Sequence, residues 1–202
     1  DKTKSVDALA AFAGNHKCLL SWKLDGLTVV LTYERGELVK AVTRGNGYIG
    51  EVITANARTF KNLPTRIAYQ GRLVIRGEAI ITYSDFEKIN AQIAGESGKY
   101  KNPRNLCSGS VRQLNSGITA KRNVRLKAFA LISAVDTQTG EPDVDFENSK
   151  EVQFNWLKAQ GFDTVDFRVV DEKNMAESVE YFAKEVEKNA FPSDGLVLTY
   201  DN

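Results

Sequence analysis

The 202-residue sequence predicts a single α+β unit, with antiparallel β-sheets and flanking helices enclosing a cleft. Three observations lead there. Strand-like and helix-like segments are mixed without the regular strand–helix alternation of a parallel sheet. Residues 18–45 read as consecutive strands rich in β-branched residues, with a hairpin turn at Tyr33-Glu34-Arg35-Gly36-Glu37. Several other segments carry helix start and stop signals.

Taken in order, Ser5 caps a short amphipathic helix over 5–13, which Gly14 stops. The strands of 18–45 follow. Residues 71–81, GRLVIRGEAII, form another strand. Ser84 with Glu87 three residues later matches a capping box, so a helix runs from there to about Ile93. Residues 95–102 are a Gly/Ser/Lys loop. Asn102 as cap and Pro103 in the first turn start a helix that reaches about Leu114. A strand covers 124–136, and Ser149 through Gln160 form a helix that Gly161 ends. Residues 165–170 are strand-like, and the spacing of Val179, Phe182, Ala183 and Val186 predicts an amphipathic helix over 174–189. A strand from about Ser193 closes the chain.

Hydrophobic residues make up 42% of the chain and charged ones 26%, ordinary for a globular protein. Lysine and arginine total 27 against 26 acidic residues, a balance that neither demands nor excludes a nucleic-acid partner. Cys18 and Cys107 stand far apart, outside any disulfide framework or zinc spacing. No apolar run approaches membrane-spanning length and the first residues do not resemble a signal peptide, so the expectation is a cytoplasmic protein with no membrane partner. His16 and Met175 read as structural, and no Walker A loop, GxGxxG or His-rich metal spacing is present.

Several short motifs carry chemistry, each with an ordinary structural explanation beside it. Lys23 and Asp25 share strand parity, which puts both on one sheet face, either as a surface salt bridge or as a nucleophilic lysine with a carboxylate that orients it. Arg44 precedes the Gly45-Asn46-Gly47 turn and is either a turn neighbour or a phosphate ligand. Arg76, Glu78 and Ile80 occupy one face of a strongly apolar strand; a charged pair there favours a face that lines a cleft. Arg104, Ser108 and Arg112 lie along one side of a helix, as a solvated basic stripe or a phosphate clamp. Asp194-Gly195 opens a strand and echoes Asp25-Gly26.

The order of these motifs is more specific than any one of them. Lys23-Leu24-Asp25-Gly26, TRGNGYIGE (43–51), IRGE (75–78), NPRN…GSVRQL (102–114) and SDGLVL (193–198) occur as in bacterial NAD-dependent DNA ligases, and nearly the whole chain resembles the nucleotidyltransferase core of their adenylation domain. The resemblance implies that Lys23 takes AMP from NAD, that AMP passes to the 5′-phosphate of nicked double-stranded DNA, and that the nick is sealed with Mg2+ assisting. It makes Lys23 the nucleophile and Asp25 its motif partner. Ser21, Leu24, Gly26, Arg44 and Glu78 would line the nucleotide, with Asp194, Val197 and Thr199 from the last strand. Phe129 would lie on one face of adenine and Val197 on the other, while Arg104 and Arg112 would contact phosphate or DNA. No particular metal ligand is implied.

The chain also departs from the family. Ser21 stands where a glutamate usually reads adenine, Asn46 replaces an aspartate, and Thr199 replaces a lysine, for which another Lys or Arg would have to substitute. The lead-in NAFPSD (189–194) also differs, leaving Lys184 or Lys188 to stand for the phosphate-facing arginine of that segment. The resemblance further implies a core, 1–202, truncated at both ends relative to a full-length ligase. Alone it is expected to be monomeric, to bind adenine nucleotides weakly, and to react with NAD slowly or not at all. Two other readings compete: an ATP-dependent polynucleotide ligase or capping-type nucleotidyltransferase, and a non-catalytic nucleic-acid-binding domain using Arg104, Arg112, Lys121 and Arg122.

Overall fold

The computed structural model describes residues 5–44, 50–95 and 98–202. In chain order its elements are α1 (Val6–Ala13), β1 (Cys18–Leu24), β2 (Leu27–Glu34), β3 (Glu37–Thr43), α2 (Thr54–Ala57), β4 (Arg72–Ile80), α3 (Tyr83–Gln92), α4 (Pro103–Val111), α5 (Ser116–Ala120), β5 (Arg125–Val135), α6 (Lys150–Ala159), β6 (Phe167–Val170), α7 (Met175–Glu185) and β7 (Ser193–Tyr200). Strands β6-β1-β7 form one sheet and β3-β2-β4-β5 the other, and all of these pairings are antiparallel. The α+β class with antiparallel sheets and flanking helices is thus observed.

Local chemistry explains most boundaries. Arg35 and Gly36 have φ of 52° and 81°, the left-handed pair of a two-residue hairpin turn whose twist suits β2 and β3. Ser5, Asn102 and Ser149 each accept a backbone N–H from the first turn of α1, α4 and α6. Helix α3 corrects the capping-box expectation. Its cap is Thr82, whose hydroxyl accepts from Asp85 N at 3.1 Å, and Ser84 lies inside the helix. Extended Thr82 directly follows the buried pair Ile80-Ile81, so the helix begins as soon as that pair is seated. Helix α4 also stops earlier than Leu114. The Asn56 amide donates to the carbonyls of Val111 at 2.6 Å and Gln113 at 2.8 Å, and Arg112 leaves helical geometry. Helices α2 and α5 were not foreseen.

Each sheet has its own core. Leu31, Tyr33, Leu73, Ile75, Leu106 and Leu126 fill the one beneath the larger sheet. Cys18, Leu20, Trp22, Met175 and Phe182 fill the other, with the Trp22 and Phe182 rings edge to face at 5.0 Å. The two cysteines are free, buried and in separate clusters. Met175 is structural as expected, while His16 is exposed, its Nδ1 3.3 Å from the Ala13 carbonyl. The sheets are joined where residues 163–165 run beside β5, through Ala128 N to Asp163 O at 2.8 Å and Val165 N to Ala128 O at 2.9 Å.

Asp201 ties α6 to the smaller sheet. Its carboxylate accepts from Glu151 N at 2.9 Å and lies 3.7 Å from Lys17 Nζ, and its carbonyl accepts from Lys150 N at 2.7 Å. Burial raises the carboxyl's pKa, but the Glu151 N–H, the Ser149 hydroxyl and Lys17 outweigh it, so the group stays below the usual carboxylate range. Its stabilisation is therefore full above the unfolded-state pKa and is lost as pH falls through the lowered folded value. Asp201→Asn is expected to cost about 1–2 kcal/mol at neutral pH and to remove that acid sensitivity, which urea unfolding at pH 3 to 7 would measure.

Candidate active site

The chain crosses from the smaller sheet to the larger at Asp25-Gly26, between β1 and β2, and Lys23, Glu78, Arg104 and Asp194 collect around this crossing. Gly26 makes it possible. A β-carbon there would lie 2.0 Å from the Ala79 carbonyl oxygen and 2.9 Å from Ile80 Cγ2, so only glycine lets the crossing lie flat on β4. The Gly26 N–H donates to Glu78 Oε2 at 3.0 Å, and the Thr28 hydroxyl donates to Glu78 Oε1 at 2.8 Å. Thr28 is also the register partner of Glu78, so the two side chains stand on one face.

Lys23 and Asp25 are not paired with each other, so the salt-bridge reading of this motif does not hold. The β1–β7 register shifts between Trp22 and Leu24, and Asp25 lies beyond the end of β1. Lys23, its side chain 52% exposed, reaches Asp194 Oδ2 at 3.9 Å instead. Asp25 Oδ1 lies 3.6 Å from Arg104 Nη1, and its own N–H donates to the Pro192 carbonyl at 2.9 Å. The start of β7 is therefore pinned beside the crossing, carrying Asp194 with it. Leu24 packs into the core of the smaller sheet.

Glu78 is shifted from the usual carboxylate range. Burial raises its pKa, opposed by the bonds from Thr28 and Gly26 and reinforced by the charges of Asp25 and Asp194. Because the folded value lies above the unfolded one, the stability linked to this proton is present at low pH and is lost as pH rises through the folded value. Glu78→Gln keeps an acceptor for Gly26 N and a donor for the Thr28 oxygen. It is expected to leave neutral-pH stability unchanged or raised by up to about 1 kcal/mol, read by thermal unfolding at pH 4 and 8.

The other predicted residues extend along both sheets. Ser21 pairs with Val197 on one side and Phe167 on the other, and Thr199 pairs with Leu19, so these residues share the Lys23 face of the smaller sheet. Phe167 stacks on Phe154 at 5.0 Å, and Phe154 shares a small cavity of about 50 Å³ with Phe129. Phe129 and Val197, 36% and 37% exposed, stand on different sheets. Arg44 follows β3 and is exposed, its N–H bonded to the Thr28 carbonyl at 2.8 Å, while Asn46 lies outside the described residues. Arg112 caps α4, contacts the Ser108 hydroxyl and lies 3.3 Å from Glu51, away from the Asp25–Arg104 pair. Among the described residues no group of three or more His, Cys, Asp or Glu side chains could cage a metal. Nor is any described helix long and apolar enough to cross a membrane.

One amine, three carboxylates and an arginine thus meet at the junction of two sheets. Residues 3–202 match the family profile of the NAD-dependent DNA ligase adenylation domain. The chain belongs to this family. The adenylation domain is 60% identical over its whole length to a DNA ligase of Lachnoclostridium phytofermentans, and 58% identical to one of Ruminiclostridium cellulolyticum. It spans 30% of the length of each. A DNA ligase of Leptospira interrogans is 38% identical over 89% of the chain and 25% of its own length. A mycobacterial DNA ligase D solved with ATP and MES shares the fold, with TM-score 0.50 and 12% identity over 94% of this chain and 51% of that one.

Sequence reasoning missed Thr28, which holds Glu78, and Lys127, the register partner of Glu78 on β5. Neither belongs to a motif. Only the pairing of β2, β4 and β5 brings them to the site.

Proposed function

We propose that the domain carries out AMP transfer for a bacterial NAD-dependent DNA ligase acting in the cytoplasm on nicked duplex DNA. The observation that carries the proposal is the ion pair of Lys23 with Asp194 at the sheet junction, beside a Glu78 carboxylate fixed by Gly26 and Thr28. The Lys23 amine, once neutral, attacks the α-phosphorus of NAD. A P–N bond forms and the P–O bond to nicotinamide mononucleotide breaks, its electron pair leaving on the departing phosphate oxygen while the amine's surplus proton goes to solvent. The AMP-lysine then gives AMP to the DNA 5′-phosphate, and the 3′-hydroxyl displaces AMP to seal the strand.

In this reading Asp194 orients the amine and Glu78 accepts from a ribose hydroxyl. Phe129 and Val197 grip adenine, with Ser21 and Thr199 beside them. Arg104, held by Asp25, and Arg44 and Arg112 meet phosphates of the nucleotide or the DNA. Among the described residues the donor set offers scattered carboxylates and no cage, which suits an Mg2+ held mainly by substrate phosphates; the ion would supply charge neutralisation there. The test is intact mass of the full-length ligase after incubation with NAD and Mg2+. An added AMP on the protein is expected with NAD and not with ATP, and its absence with NAD overturns the proposal. The domain alone is expected to be monomeric and to form the adduct slowly or not at all.

A further inference from the structure

The site needs positive charge around the α-phosphate. Lys23 is the proposed nucleophile, Arg104 and Arg112 meet phosphate while tied to Asp25 and Glu51, and Arg44 does so from the end of β3. Thr199, where the family resemblance leads one to expect a lysine, has no charge to offer. Arg76 shares the Glu78 face of β4 but stands opposite Val30 and Ala130, farther along the strand from the crossing, with its Nε buried.

Lys127 is different. It lies directly across from Glu78 in the β4–β5 register, so both side chains rise from the same face about 5 Å apart at their β-carbons. Its amine does not turn down onto the Glu78 carboxylate. It extends toward the smaller sheet and rests 4.9 Å from the centre of the Phe191 ring. Phe191 immediately precedes Pro192, whose carbonyl accepts from Asp25 N, and lies two residues before Ser193, the register partner of Leu24. The arm of Lys127 thus spans the opening between the sheets, from beside Glu78 to beside the segment that carries Asp194 and abuts Lys23. Among the described residues its amine has no ion-pair partner and rests on the ring. A partly exposed cation–π contact is readily exchanged for a phosphate.

Resting on the AMP-transfer reading above, we propose that Lys127 neutralises the α-phosphate during AMP-lysine formation, supplying from β5 the cation that Thr199 does not supply from β7. Lys127 leaves its ring when NAD enters. It stabilises charge on the phosphate as the P–N bond forms and the bond to nicotinamide mononucleotide breaks. It takes no covalent part and transfers no proton.

The test uses the full-length ligase, NAD and Mg2+, with AMP-adduct formation followed in time by intact mass. Lys127→Met keeps the apolar arm over Phe191 and removes the charge; Lys127→Arg keeps the charge. The methionine variant is expected to form adduct about 100-fold more slowly at saturating NAD with KM changed less than about threefold, and the arginine variant to stay within about tenfold of the parent. Adduct formation by Lys127→Met within about threefold of the parent overturns the proposal. So does an arginine variant as slow as the methionine one, which would make Lys127 a packing residue. A parent ligase that forms no adduct overturns the AMP-transfer reading, and this inference with it.

Discussion

Replacing Lys23 with alanine in the full-length ligase is expected to reduce AMP-adduct formation and nick sealing by at least about 10⁴-fold, because no other group can form the P–N bond. Lys23→Arg is expected to fail as completely. It can keep the ion pair with Asp194, but a guanidinium never becomes a neutral nucleophile near pH 7. Stability should barely move, since the pair is half-exposed on both sides at 3.9 Å and such pairs contribute little. A further result separates lost chemistry from lost folding. When the nick is supplied with AMP already on its 5′-phosphate, the lysine is no longer needed as an acceptor, so Lys23→Ala should retain measurable sealing. Intact mass reports the first outcome and a labelled nicked duplex the second. An AMP adduct on the alanine variant would exclude Lys23 as the acceptor.

What could be read from the residues, and what could not, follows from the range of the interactions involved. Caps are local, so Ser5, Asn102 and Ser149 marked their helices correctly. Where a local signal was duplicated, as in Thr82-x-x-Asp85 beside Ser84-x-x-Glu87, the residue adjoining a buried strand end prevailed. The order of the motifs was enough to anticipate the family, because each motif is contiguous. Register and sheet membership are not contiguous properties. Residues 18–45 read as consecutive strands, yet β1 and β2 belong to different sheets and Asp25-Gly26 is the crossing between them. The same crossing undoes the salt-bridge reading of Lys23 with Asp25 and hands each a partner more than 70 residues away, Asp194 and Arg104. Thr28 and Lys127 were invisible for the same reason. Their significance lies wholly in standing beside Glu78.

Gly26→Ala is the substitution from which the fold itself should suffer most among the site residues. The new methyl would lie 2.0 Å from the Ala79 carbonyl oxygen, a backbone atom of β4 whose neighbours Ala79 and Ile80 are fully buried. Neither side can yield cheaply. The carbonyl belongs to a strand paired on both sides, so the crossing must lift away from it, breaking the Gly26 N–H bond to Glu78. An overpacked and displaced junction of this kind is expected to cost about 3 kcal/mol or more, seen as a lower urea midpoint with an unchanged slope. Activity should fall further than stability alone predicts, because lifting the crossing separates Lys23 and Asp25 on one side from Glu78 on the other. Glu78→Gln provides the contrast, since it alters the same contact without a clash: stability held or raised, adduct formation reduced. If Gly26→Ala instead matched the parent in midpoint and adduct rate, close approach of the crossing to β4 could not be what holds the two halves of the site together.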